Sequence, residues 1–158
     1  MPRNQFGFTL IEITVVLVLM AIVSAYVIGR SIGTEQMDLV AQTDKIRNQI
    51  RYVQATAMKQ SDAIWGVISN GNQYWMFKNN TGTPEIIPGE RNAQITLADV
   101  GIDSLTIFTL FFDRFGIPYT AYVDATNNAP LGNPLSIIVS SGTQSRTIRV
   151  IPETGLVQ

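Results

Sequence analysis

The most constraining feature of this sequence is a long apolar stretch near its N-terminus that contains a single charged side chain. Between Phe8 and Ile28 that side chain is Glu12. A helix over this stretch would be about 30 Å long, which matches the hydrocarbon core of a bilayer. A carboxylate near mid-membrane costs about 2.5–3.5 kcal/mol, so we expect Glu12 to have a cationic partner. Cleavage between Gly7 and Phe8 would create one, because it exposes a new N-terminal amine.

The segment resembles the class III signal of type IV pilins and pseudopilins. That resemblance rests on Gly7, Phe8, Glu12 and the apolar run, which follow a short polar leader that contains Arg3. It implies that residues 1–7 are a leader peptide, which a prepilin peptidase removes before it methylates the amine of Phe8. It also implies that Glu12 pairs with the N-terminus of a neighbouring subunit during assembly.

Two alternatives for the apolar stretch are a signal anchor, in which Glu12 occurs by chance, and a cleaved secretory signal. The apolar region of a secretory signal is about 7–15 residues long and ends at small residues. Ser24 and Ala25 imitate part of such a site, but the stretch is longer than that. Counting positive charges does not favour a cytoplasmic N-terminus, because Arg3 lies on one flank and Arg30, Lys45 and Arg47 lie on the other. A cytoplasmic N-terminus is therefore implied by the resemblance alone.

Composition removes several functional classes. The 158 residues include no cysteine and no histidine. Disulfides are thereby excluded, together with Ser-His-Asp and Cys-His nucleophiles and the usual zinc ligands. The net charge is −1, and no run of five basic residues suggests a nucleic-acid footprint. We expect no catalytic residue, metal or cofactor; acidic pairs such as Asp99 and Asp103 have no recognisable motif spacing.

Residues 29–60 are predicted to continue the helix as an amphipathic half. Gly29 and Gly33 permit a bend near its start. Apolar residues recur at spacings of three, four or seven, at Leu39, Ile46, Ile50, Val53 and Ala57. We expect this apolar face to pack on a sheet, and the charged face is a candidate contact surface for neighbouring subunits.

Residues 61–158 are predicted to form one β-rich domain. Asn70 and Gly71 form the strongest hairpin signal, and a second hairpin is predicted around 141–144. The predicted strands are 63–69, 73–78, 94–97, 104–112, 117–123, 135–140 and 146–151, with a final extended piece at 156–158. Loops are predicted at 79–92 and 124–134. The fold class is therefore α+β, with a long helix, transmembrane over 8–28 and amphipathic beyond, packed on an antiparallel sheet.

Three further segments resemble the GspH/FimT group of minor pilins and pseudopilins. They are residues 52–60, the turn Phe112-Asp113-Arg114-Phe115-Gly116, and the closing Thr154-Gly155-Leu156-Val157. The resemblance implies a pilin fold and a minor or initiating subunit of a type IV pilus or a type II secretion pseudopilus. The implied partners are prepilin peptidase, other subunits, an inner-membrane assembly platform and, before assembly, membrane lipid. The implied location is the bacterial inner membrane, single-pass with a periplasmic C-terminal domain, and then the filament.

The alternative function is that of a FimT-like, DNA-binding minor pilin of a DNA-uptake pilus, because some relatives in that group bind DNA. Candidate DNA contacts are Arg114, Arg146 and Arg149. Alternation along one strand should place Arg146 and Arg149 on opposite faces, which weakens a shared patch.

Two clusters have both a structural and a functional interpretation. The aromatic residues Phe108, Phe111, Phe112, Phe115, Tyr119 and Tyr122 are predicted to be sheet core, with a carbohydrate or partner surface as the alternative. The polar residues Asp113, Asp124, Asn127 and Asn128 offer a calcium site as the alternative to ordinary loop structure.

Overall fold

The computed structural model describes residues 9–60 and 62–158, without the side chains of residues 27–36. One long helix, α1 (Leu10–Lys59), is followed by ten strands, so the predicted α+β class is confirmed. The chain divides after Gln36 into two compact units, Met1–Gln36 and Met37–Gln158, which are described separately below.

The second part of α1 is amphipathic as predicted. All five apolar residues of the predicted face are buried, from Leu39 to Ala57, with at most 2% exposure. Three polar residues are buried on the same side: Thr43, Gln49 and Thr56. The two threonines are satisfied locally, because each hydroxyl donates to the carbonyl four residues earlier, at 2.7 and 2.8 Å.

The strands are antiparallel throughout and form two sheets. They are β1 Trp65–Ser69, β2 Gln73–Lys78, β3 Pro84–Glu85, β4 Gln94–Thr96, β5 Ser104–Leu105, β6 Phe108–Phe112, β7 Pro118–Tyr122, β8 Asn128–Pro130, β9 Leu135–Ser141 and β10 Gln144–Val150. The larger sheet has the order β3-β2-β1-β6-β7-β8, with β4 also paired to β2, and the smaller has the order β10-β9-β5. A 3₁₀ helix, Ala98–Val100, follows β4. Both predicted hairpins, β1–β2 and β9–β10, are confirmed.

The predicted strand 104–112 is wrong as a single element. Its first part, β5, pairs with β9, whereas β6 pairs with β1 and β7 in the other sheet. Thr106 exchanges hydrogen bonds with Ile138 on the smaller sheet, and Ile107 is 74% exposed where the chain crosses between sheets. An apolar run does not reveal this crossing, because strands of both sheets contribute to the core.

The predicted loops 79–92 and 124–134 are also wrong in part, because each contains a short edge strand. These are β3 and β8, of two and three residues, and each contains a proline. Proline is tolerated on sheet edges, where its missing N–H faces solvent. The final extended piece is confirmed: Val157 bridges to Val150, and Gln158 exchanges backbone hydrogen bonds with Arg149.

One hydrophobic core joins the helix face to both sheets within Met37–Gln158. Ile46, Ile50 and Val53 of α1 share it with strand residues such as Leu110 of β6 and Ile137 of β9. The prediction that the aromatic residues are core holds for those of β6, at 9% exposure or less. It is wrong for Phe115, which is 65% exposed at the tip of a turn.

Gly66 makes room for an aromatic pair on the larger sheet. It lies opposite Phe77 on one neighbouring strand and Phe111 on the other. The two rings meet edge to face, with centroids 5.1 Å apart. A Cβ at Gly66 would run into the Phe77 ring and the carbonyl oxygen of Leu110.

We therefore expect Gly66→Ala to lower the free energy of unfolding by about 1–3 kcal/mol, because backbone and a buried ring must both move. Gly132→Ala is the matched control, since nothing lies within 4 Å of its added Cβ. Denaturant midpoints followed by tryptophan fluorescence measure both variants. Equal midpoints for the two would contradict this account of Gly66.

Candidate functional site

The described part of the N-terminal segment begins with a helix cap. Gly7 and Phe8, the predicted processing residues, lie outside the described residues, as does the leader 1–7. Thr9 Oγ1 accepts a hydrogen bond from the backbone N–H of Glu12 at 3.3 Å, and the Thr9 carbonyl accepts from Glu12 and Ile13. Thr9 and Glu12 thus have the spacing of a capping box. Glu12 also lies in the first turn, where the helix dipole favours negative charge.

This cap gives Glu12 a local role that the interpretation based on pairing did not include. The signal was present in the sequence as a threonine three residues before a glutamate at the start of an apolar run. Capping and pairing are compatible, because the cap uses the Glu12 backbone N–H and leaves its carboxylate available.

The apolar side chains of the first unit are uncovered. Every described side chain from 9 to 26 is exposed, and the large apolar ones range from 48% at Val16 to 81% at Leu10. Glu12 lies on the same exposed face of the helix as Ile13, Val16 and Leu17. An apolar surface of this extent marks a site of contact with another protein or a membrane.

Within the part of the chain that the structure describes, no helix has a stretch long and apolar enough to cross a membrane. The predicted segment 8–28 extends beyond that part, because residue 8 and the side chains of residues 27 and 28 lie outside it. Its extent therefore stays a prediction.

The three candidate DNA contacts are exposed, and they lie on two different elements. Arg114 is in the β6–β7 turn, with its guanidinium carbon 4.8 Å from the centre of the Phe115 ring. Arg146 and Arg149 are both on β10, opposite Val139 and Ser136 of β9. Their odd spacing places them on opposite faces of the strand, as expected from alternation.

A junction on α1 joins the turn after β6 to the C-terminal segment. The side-chain amide of Gln54 donates to the carbonyls of Gly116 and Thr154, at 2.9 and 3.3 Å. Arg51, one turn earlier, donates twice to the Val157 carbonyl, at 3.1 and 2.6 Å. The three segments that resemble the GspH/FimT group therefore meet here, and Gly155 has φ +63° with no room for a Cβ.

A second polar network ties the loop after β3 to the helix. The hydroxyl of Tyr74 donates to Gln49 Oε1 at 2.8 Å, and Gln49 Nε2 donates to Glu90 at 2.6 Å. Glu90 also pairs with Lys45 at 2.7 Å. Burial, followed by the negative charge of Glu90, raises the pKa of Tyr74 well above its ordinary value. The sequence did not predict this network, because the spacing of apolar residues gives no information about a buried glutamine or its partners.

The two carboxylates of the possible calcium site, Asp113 and Asp124, already accept hydrogen bonds from their own loops. Asp124 accepts backbone and side-chain hydrogen bonds from Asn127 and Thr126, which hold its pKa well below the usual range. Asp113 accepts from the N–H groups of Phe115 and Ile117. Across residues 9–60 and 62–158, no group of three or more acidic, histidine or cysteine side chains could hold a metal ion. These carboxylates shape turns.

Comparison with known proteins bears on the N-terminal segment. Residues 2–28 match the family model of the prokaryotic N-terminal methylation motif. The chain carries a class III prepilin signal, and the match supports its assignment to the type IV pilin-like family. The α+β architecture, a helix followed by antiparallel sheet, is consistent with the pilin fold. No curated protein and no solved structure matches the chain.

For the buried network, we expect Tyr74→Phe to lower the free energy of unfolding by about 1–3 kcal/mol at pH 7, because Gln49 Oε1 loses its donor. In the wild type, the raised pKa of Tyr74 means that the unfolded chain releases a proton above about pH 10 that the folded chain keeps. The free energy of unfolding then falls by about 1.4 kcal/mol per pH unit from this group.

The phenylalanine variant lacks this contribution, so its deficit relative to wild type should shrink as the pH rises from 9 to about 11. Denaturant midpoints at several pH values measure the deficit. Tyr119, whose pKa is also raised, by burial and then by Asp113, is present in both proteins and cancels. Tyr52→Phe, at a 41% exposed ring, is the control. A deficit that does not change with pH would refute this assignment.

For the junction, we expect Gln54→Met to free the turn and the C-terminal segment while keeping the helix. Losing both donated hydrogen bonds should cost about 1 kcal/mol. Hydrogen exchange at the amides of Gly155 and Gln158 should accelerate roughly fivefold, since 1.4 kcal/mol corresponds to tenfold. Asn48→Met, at an exposed position of α1, is the control and should leave exchange at these amides unchanged. Unchanged exchange in Gln54→Met would contradict the role of Gln54 in the junction.

Proposed function

We propose that this chain is a structural subunit, minor or initiating, of a type IV pilus or a type II secretion pseudopilus. The match of residues 2–28 to the methylation motif carries the proposal. The motif implies processing by prepilin peptidase, insertion into the inner membrane before assembly, and assembly with other pilins. It is a motif of structural proteins, and we propose no catalytic role for the chain.

The uncovered apolar side chains explain how such a subunit moves from membrane to filament. In lipid, the segment 8–28 lies among acyl chains; in a filament, the same side chains contact the helices of neighbours. Most of the apolar area therefore stays out of water in both states. The subunit would wait as a single-pass protein, with residues 61–158 forming a periplasmic domain.

Glu12 would set the register of each added subunit. Once Gly7 and the leader are removed, the amine of Phe8 in a neighbouring subunit is the cationic partner. A buried ion pair often contributes little net stability, but leaving one partner alone costs about 3–5 kcal/mol. The pair therefore selects the one axial position in which neither charge is unpaired. Thr9 supports this role because it caps the turn that contains Glu12.

The DNA-binding alternative receives less support. Arg114 is in a turn of the larger sheet, while Arg146 and Arg149 lie on opposite faces of a strand in the smaller one. Phosphate binding to one stretch of duplex requires several cations on a shared surface.

The proposal predicts that Glu12→Ala leaves the protein processed and in the membrane but hinders its incorporation. In a cell that has prepilin peptidase, intact mass should show loss of residues 1–7 plus one methyl group for both proteins. The amount of variant in the sheared filament fraction should fall by at least about tenfold, given the cost of an unpaired partner.

Ile13→Ala, next to Glu12 and at nearly the same distance from the cleavage site, is the control and should assemble nearly normally. Normal assembly of Glu12→Ala would remove the pairing role. An unprocessed wild-type chain, or one cut after Ala25, would remove the filament function as a whole.

A further inference from the structure

A cleft of about 620 Å³ opens at one end of the larger sheet. One wall is formed by Ile64, just before β1, and Asn79, just after β2. The opposite wall is formed by Asp113 of the β6–β7 turn and by Tyr119 and Tyr122 of β7. The volume lies within the range of about 300–1,000 Å³ that is typical of small-molecule sites.

The cleft has aromatic rings that are not used as core. Tyr119 and Tyr122 pack edge to face, with centroids 5.0 Å apart, and both remain partly exposed. Phe115, also on the cleft, keeps 65% of its surface in water. Aromatic rings at a wet surface bury large apolar area when a ligand covers them, while a tyrosine hydroxyl still reaches polar partners. The apolar faces of sugar rings suit such a surface.

The polar groups of the cleft are already held in place. The Asp113 carboxylate accepts two backbone N–H groups, at 2.8 and 2.9 Å, and the Tyr119 hydroxyl at 3.2 Å. Asn79, at φ 60°, uses its Oδ1 to accept the Ile64 N–H, so its Nδ2 remains a donor. Asn128 donates its Nδ2 to two carbonyls of its own loop, so its Oδ1 remains an acceptor. Fixed donors and acceptors of this kind bind hydroxyl groups without losing side-chain entropy.

The charges of the cleft decide which ligand class it fits. Asp62 and Asp113 contribute two carboxylates, and Arg114 contributes one guanidinium. This balance opposes phosphate, sulfate and carboxylate ligands, and it opposes a nucleic acid, whose binding depends on neutralised phosphates. Among uncharged ligands, one rich in hydroxyl groups suits the free amide donor of Asn79 and the acceptors of Asn128 and Asp113.

We propose that this cleft binds a neutral oligosaccharide, a function separate from filament assembly. The rings of Phe115 and Tyr122 cover the apolar faces of the sugar, and Asp113, Asn79 and Asn128 bind its hydroxyls. The protein would then present a glycan-binding surface in whatever assembly it joins.

The test uses the full chain in dodecyldimethylamine oxide micelles, because this detergent has no sugar head group to compete. The protein is applied to an array of neutral oligosaccharides of glucose, galactose, mannose and N-acetylglucosamine, with sialylated and sulfated glycans beside them. The neutral glycan that binds most strongly is then titrated by calorimetry. We expect binding to neutral glycans and none to the acidic ones.

Tyr122→Ala should weaken this binding at least about tenfold, whereas Tyr122→Phe should retain most of it, since the ring supplies the contact. Val123→Ala is the matched control, because Val123 is 73% exposed but does not line the cleft. If thermal melting shows that Tyr122→Ala does not fold, Phe115→Ala takes its place, because an exposed turn residue can be truncated without loss of core.

Three results would overturn the proposal. The first is the absence of any neutral glycan bound above background. The second is equal binding by wild type and by Tyr122→Ala, or by Phe115→Ala where that variant replaces it. The third is preference for acidic glycans. The cleft could instead contact a second subunit, and photo-crosslinking from position 122 within assembled filaments tests this. Crosslinking to a second copy of the chain would show a subunit contact and overturn the proposal.

Discussion

The hydrophobic effect acts on two different surfaces of α1, and the organisation of the molecule depends on that difference. From residue 37 onwards, one stripe of the helix is buried against two sheets, and Ile50 and Val53 are fully inaccessible. From 9 to 26, the apolar side chains surround the helix and none is buried. A stripe can be satisfied within one chain, whereas a helix that is apolar all round requires lipid or other helices. One helix thus contains a buried stripe that belongs to the folded domain and an apolar segment that the described part of the chain does not cover.

The helix also organises loops that have no core of their own. Gln54 and Arg51 bind the carbonyls of the β6–β7 turn and the C-terminal segment, and Gln49 with Lys45 binds Glu90 in the loop after β3. These partners are between 41 and 106 residues away in sequence. Buried polar groups are costly unless they are paired, so each bond makes the loop position part of the folded state. The smaller sheet and the turns are thereby held to the helix by directional contacts as well as by packing.

The features that could be predicted from the sequence are those that depend on a local pattern of residues. The helix, its buried face and both hairpins follow from spacing three and four, from alternation, and from Asn70-Gly71. The methylation motif of residues 2–28 was also legible, because its glycine, phenylalanine and glutamate fall in register. The split of 104–112 between two sheets depends on which distant strand each half meets. The role of Gln54 depends on two loops that approach from 62 and 100 residues away, so no window of sequence contains the information.

The two parts of the chain meet different requirements. The function that we propose would constrain the N-terminal segment residue by residue, since cleavage, methylation and pairing would each require one side chain at one position. The domain from Met37 to Gln158 has to keep its core, its junction at Gln54 and its network at Gln49. Phe115, at the tip of the β6–β7 turn, lies outside the core and contacts the guanidinium of Arg114. The glycan site that we propose would give the Phe115 and Tyr122 rings a role that packing within the core does not supply, beside carboxylate and amide groups that their own loops hold in place.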